Sequence, residues 1–92
     1  MTWNEAIDSF RTYLILEKSL STNSVEAYLN DIRKLGAYCE QRTPTLNPKE
    51  VSYDVLNEYI SALKDTGVTP RTQARSISSI KSFFKYLLYE GA

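Results

Sequence analysis

Ninety-two residues, 42% of them hydrophobic and 12% aromatic, are enough for one small core and exclude a disordered tail. A lone Cys39 and the absence of His exclude an internal disulfide and a Cys/His metal site, and no apolar run approaches the ~18 residues of a membrane span. Net charge is zero, yet residues 1–68 hold seven Lys/Arg and ten Asp/Glu, net −3, while residues 69–92 hold four Lys/Arg and one acid, net +3, so the basic end is the last segment.

Taken in chain order, four segments read as helices. The first covers about residues 2–17: Thr2 followed by Glu5 is a capping-box pattern, and Trp3, Ile7, Phe10 and Leu14 recur at helical spacing. The second covers about 22–41 with Ser21 as its cap, a place that Asn23 could also fill. Val25, Tyr28, Leu29, Ile32, Leu35 and Cys39 share a face, with Gly36 inside the stripe allowing a close helix approach. Residues 43–48 hold two prolines and read as loop. The third helix covers about 53–65, with Ser52 as cap, Val55, Leu56, Tyr59, Ile60 and Leu63 inward and Gly67 as terminator. The fourth covers about 70–89, with Thr69 as cap, Pro70 at the first helical position and a stop at Gly91. No segment alternates at period two. The expectation is one all-α domain over residues 1–92, a four-helix bundle, without a signal peptide at Met1–Glu5 and cytosolic by default.

Enzymatic chemistry has little to stand on. There is no His, Gly-rich phosphate loop or Cys pair, and the acids, Glu40 and Asp54 among them, read as solvated helix charges. No catalytic residue, metal or cofactor is expected. Cys39 reads as a small core hydrophobe.

The fourth helix has the most informative pattern. At about 100° per residue, Ile77, Ile80, Phe83, Phe84, Leu87 and Leu88 form an apolar arc. Arg71, Arg75, Ser78, Ser82 and Lys85 form a stripe on the other side, with Ser79 beside it and Lys81 at the arc's edge. The stripe has no acid, and Ser and Arg are common phosphate donors. The helix start, with Thr69, Arg71, Thr72 and Gln73, offers free N–H groups and a positive dipole end to an anion. Gln73 and Arg75 have side chains suited to base edges. The second helix opens on Ser21, Thr22, Asn23 and Ser24, with Arg33 and Lys34 further along. By composition alone the same features also fit a solvated face and a well-capped helix.

Residues 17–32, EKSLSTNSVEAYLNDI, and the segment from Thr69 to Gly91, with Arg75, Ser78, Ile80, Lys81, Phe84, Tyr86 and Leu87, resemble two motifs of the N-terminal core-binding domain of Xer-type tyrosine recombinases. Ser24 stands where Thr is usual there, and Lys81 where Arg is usual. The resemblance implies a SAM-like orthogonal bundle that grips double-stranded DNA at the major groove through its second and fourth helices. It implies a partner catalytic domain carrying the Arg–Lys–His-x-x-Arg–His/Trp–Tyr set, whose tyrosine forms a 3′-phosphotyrosyl link. Glu90-Gly91-Ala92 would lie near the start of the linker to that domain. It further implies contacts with neighbouring recombinase protomers through the first helix, leaving Trp3, Ile7 or Phe10 open to partial exposure, although periodicity places Ile7 and Phe10 in the core. By itself the domain is expected to be monomeric, with no membrane partner. The alternative reading is a helical protein-interaction module, which the neutral charge and aromatic surplus also suit.

Overall fold

Each helix begins where a short hydroxyl or amide side chain can cap it. The computed structural model describes residues 1–44 and 46–89; Thr45 and Glu90–Ala92, and with them the expected stop at Gly91, lie outside the described residues. Helix α1 spans Trp3–Leu16. Thr2 Oγ1 accepts the Glu5 N–H at 3.1 Å while Glu5 Oε1 accepts the Thr2 N–H at 2.8 Å, a reciprocal cap of about 1 kcal/mol. Ser19 adopts φ 51° in the turn that follows, and the Leu20 N–H reaches back to the Leu14 carbonyl at 3.2 Å. Helix α2 spans Thr22–Arg42.

The expected proline loop ends in a single 3₁₀ turn, Pro48–Glu50, capped by Asn47. It is tied to α1 by the Trp3 indole N–H, which donates to the Leu46 carbonyl at 3.1 Å. Helix α3 spans Tyr53–Asp65 with Ser52 as its cap, and Gly67 follows at φ 81°, a conformation that favours glycine. Helix α4 spans Pro70–Tyr89. All four helices match the expected ranges to within a residue.

Helix α2 is the centre of the all-α bundle, packed against α1 along one side and α4 along the other, with α3 touching both α2 and α4 more lightly. The core joins Phe10 and Leu14 of α1, Leu29, Ile32 and Leu35 of α2, and Ile80 and Phe83 of α4. Phe10 meets Phe83 edge-on at 5.3 Å between centroids, and Trp3 stacks near-parallel to Phe83 at 6.1 Å. Trp3, Ile7 and Phe10 are all buried, so the partial exposure considered for them does not occur. Cys39 is fully buried, and burial pushes its thiol pKa up, as expected of a core hydrophobe. Of the α3 face expected inward, Tyr59 alone is buried and Val55, Leu56, Ile60 and Leu63 are half-buried, because α3 lies on the flank of the bundle.

Helix α4 departs most from its apolar pattern. Leu88 is 71% exposed, and Ile77 and Phe84 are only half-buried. The buried set is Ser76, Ser79, Ile80, Phe83, Tyr86 and Leu87, an arc turned by roughly 70° about the helix axis from the apolar one. The turn brings three polar side chains inward, and each has a partner: Tyr86 pairs with Ser9 of α1, and both serines bond to an acid on α2.

At Gly36 the Trp3 ring of α1 lies close against α2. A Cβ there would lie 3.0 Å from Trp3 Cε3 and 3.1 Å from its Cδ2. Trp3 is held by its hydrogen bond to Leu46 and its stack on Phe83, so the ring cannot withdraw. Gly36→Ala should therefore lose more from overpacking (about 1–3 kcal/mol) than the ~1 kcal/mol that alanine's helix propensity returns. Thermal melting should show a fall of several degrees; a rise in Tm would contradict this packing.

Candidate nucleic-acid interface

The starts of α2 and α4 lie side by side and share an open groove of about 440 Å³, lined by Asn23, Ser24, Ala27, Tyr28, Arg71, Thr72 and Arg75. The two starts are built alike. Ser21 Oγ accepts the Ser24 N–H at 3.2 Å and lies 3.1 Å from Ser24 Oγ. Thr69 Oγ1 accepts the Thr72 N–H at 3.2 Å and lies 3.1 Å from Thr72 Oγ1. In each pair the cap oxygen uses its own proton on the second hydroxyl. Ser24 and Thr72, both on the groove wall, keep a proton to donate. The positive dipole ends of two helices add to the same region.

One groove-lining residue, Arg75, is paired with a buried acid. Asp31 of α2 is only 2% exposed, which corrects the expectation that every acid is a solvated helix charge. Its carboxylate accepts from Arg75 Nε at 3.1 Å and Arg75 Nη2 at 2.9 Å. Ser76 Oγ donates to it at 3.2 Å and Ser79 Oγ at 2.8 Å. Ser79 Oγ is also 3.0 Å from the Arg75 carbonyl, and its one proton goes to the closer, charged acceptor. Burying a carboxylate costs several kcal/mol unless it is paired and hydrogen-bonded, and here both oxygens are filled. The bond to Asp31 also raises the Arg75 pKa. The Arg75 side chain remains 40% exposed and lines the groove.

The remaining sequence candidates divide. Ser78, Lys81 and Lys85 are exposed and Ser82 half-buried along α4, so the stripe continues from Arg71 down that helix. Thr22 is exposed at the start of α2. Ser79 is not on the surface: it is fully buried, because the turn of α4 points its hydroxyl at Asp31. Gln73 does not face the groove: its side-chain amide donates to the Val68 carbonyl at 3.1 Å. Arg33 bonds Asn30 Oδ1 at 2.9 Å and lies 3.8 Å from Glu26 Oε2, on the side of α2 nearer α1. Lys34 borders a separate hollow with Tyr38, Tyr59 and Leu63.

Comparison with known proteins places the chain in a family. Residues 7–91 match the model of the phage integrase N-terminal SAM-like domain. The chain belongs to that family. Tyrosine recombinase XerD of Listeria innocua is 33% identical over 88 residues, 96% of this chain and 30% of the relative. Tyrosine recombinase XerC of a Mycobacterium species (strain KMS) is 35% identical over 85 residues, 92% of this chain and 28% of the relative. XerC of Syntrophus aciditrophicus is 36% identical over 90 residues. The chain thus spans somewhat under a third of the length of these curated relatives. No solved structure matches it.

The residue of this integrase SAM-like domain that sequence reasoning missed is Asp31. Its signal was present: it follows Tyr28 by three residues and precedes Leu35 by four, at the margin of the apolar face of α2. Short polar residues at 76 and 79 offered it partners on α4.

This arrangement gives the two groove arginines different structural roles. Arg75→Ala leaves Asp31 with two hydroxyls and no counter-charge, and should cost about 2 kcal/mol, below the 3–5 typical of a fully buried pair because one partner is half in water. Arg71 has no carboxylate within 4 Å among the described residues, and Arg71→Ala should stay within about 0.5 kcal/mol of the parent. Urea unfolding of both variants checks the contrast; equal stabilities would contradict the ion pair.

Proposed function

We propose that this chain is a DNA-gripping domain of a site-specific tyrosine recombinase, and that it holds duplex DNA along the groove between the starts of α2 and α4. The observation that carries the reading is the convergence of two helix starts, two guanidinium groups and four neutral hydrogen-bonding side chains on one surface whose single acid is buried. DNA phosphates are bound by Arg and Lys, short hydroxyl side chains and helix N-termini, and that surface combines these donor types. Arg71, Ser78, Ser82 and Lys85 extend it along α4 for contact with successive phosphates, while Ser21 and Thr69 serve by holding Ser24 and Thr72 in place. The recombinase names of the relatives, at 33–36% identity over nearly the whole chain, support the same reading.

Cutting and rejoining of strands belongs, on this reading, to a separate catalytic domain of the parent protein, and residues 1–92 form one DNA-binding domain without a catalytic residue. The whole protein's work is site-specific recombination in the cytoplasm, on the nucleoid, as in chromosome-dimer resolution or integration of a mobile element. Its partners are DNA and neighbouring recombinase protomers. A protein-contact role has one observation in its favour, the apolar hollow formed by Lys49, Phe84, Leu87 and the exposed Leu88. It sits away from the groove and is compatible with DNA binding.

The test uses Arg71, whose replacement should leave the fold intact. Binding of this chain to a mixed-sequence duplex should weaken steeply as salt rises, with a dissociation constant in the ~10⁻⁴–10⁻⁶ M range at physiological salt. Arg71→Ala should reduce the slope of log K against log salt by about one. A slope unchanged by the substitution, or no binding by the parent chain at low salt, would contradict the proposal.

A further inference from the structure

The donor geometry of Arg75 carries a more specific reading, which rests on the DNA-binding function proposed above. A guanidinium has five N–H groups in a fixed plane. Asp31 takes the side fork, one hydrogen from Nε and one from Nη2. The end fork, formed by the other Nη2 hydrogen and Nη1, makes no hydrogen bond among the described residues, and Arg75 lines the groove. We propose that Asp31 is a positioning residue that locks Arg75 with its end fork toward the groove, and that this fork reads the paired O6 and N7 acceptors of a guanine in duplex DNA.

Rigidity and charge separate this role from phosphate clamping. Asp31 is held from both sides of its carboxylate, by Ser76 on Oδ1 and Ser79 on Oδ2 as well as by Arg75, so Arg75 is oriented before DNA arrives and loses little further freedom on binding. The same carboxylate weakens Arg75 as a point charge. With a phosphate about 4 Å from the guanidinium and Asp31 about twice as far from it, Coulomb's law has the aspartate cancel about half of the attraction. Arg71 has no such counter-charge and suits the phosphate role. A neutral acceptor pair on a base edge depends more on donor direction than on net charge, and a bidentate Arg–guanine contact is the commonest specific one in the major groove.

The test selects duplexes from a pool randomised over one helical turn, using this chain, its Arg75→Lys and its Asp31→Asn variants, and sequences the bound fraction. The parent chain should enrich guanine at one position. Arg75→Lys keeps the charge opposite Asp31 but loses the fork, and should lower that enrichment about tenfold. Asp31→Asn should lose the enrichment likewise, and melting curves report whether it is folded; should it fail to fold, Arg75→Lys decides. Replacing the selected guanine by 7-deazaguanine should weaken the parent chain and leave Arg75→Lys unaffected, a difference no merely structural role of Arg75 would produce. Binding by the parent chain without guanine enrichment, or enrichment that survives Arg75→Lys, overturns the assignment and leaves the DNA-binding proposal standing. Absence of binding to any duplex overturns both.

Discussion

A carboxylate enclosed between two helices has to be matched by donors from the facing helix, and that requirement governs the packing of α4 on α2. Asp31 is met by Arg75, Ser76 and Ser79, residues one and then three positions apart. Such spacing places all three within an arc of about 100° on one side of a helix, and to reach Asp31 that side must face α2. Helix α4 therefore turns its serines inward and leaves Leu88 in water. An all-apolar contact would have buried Ile77, Phe84 and Leu88 instead. It would also have turned Arg75 further from α2 and opened the groove's acid to solvent.

The rest of the candidate interface follows from that rotation. With α4 fixed against α2, the two helix starts come together, and their identical capping pairs put Ser24 and Thr72 on facing parts of one groove. Arg71 lies above the ion pair, unopposed, while Arg75 is oriented by it. The neutral net charge of the chain is thus no obstacle to an anion-binding surface: no acid lines the groove, Asp31 is paired with Arg75, and other acids lie elsewhere, Glu26 with Arg11 and Glu58 with Arg42 among them. The aromatic cluster of Trp3, Phe10 and Phe83 does the complementary work on the α1 side, where Gly36 lets the indole lie against the α2 backbone.

Helix number, type and limits were legible in the residue pattern because caps and breakers are local: Thr2 with Glu5, Ser52, Gly67, and Thr69 with Pro70 each act within a few residues. The α1 core face was legible as well, since it is uniformly apolar, and so was that of α2 apart from Asp31. The orientation of α4 was not, because it depends on a polar contact spanning 44 to 48 residues of chain, and hydrophobic periodicity carries no information about which serine meets which acid. The same contact explains why Ser79, an apparent surface hydroxyl, is buried. Gln73 and Arg33 were read as available on residue type, yet each is engaged nearby, one on the Val68 carbonyl and the other beside Asn30 and Glu26. The positions at the two helix starts were legible separately; that they share one groove is a property of the packing.

Backbone and side-chain NMR of this chain, titrated with a short duplex at low salt, tests most directly whether that groove grips DNA. The account predicts shifts concentrated at Asn23, Ser24, Ala27, Arg71 and Thr72 and at the Arg75 Nε–H, continuing along α4 to Ser78, Ser82 and Lys85 and fading as salt is added. Shifts confined to residues 3–14, or an unchanged spectrum at saturating duplex, would contradict it.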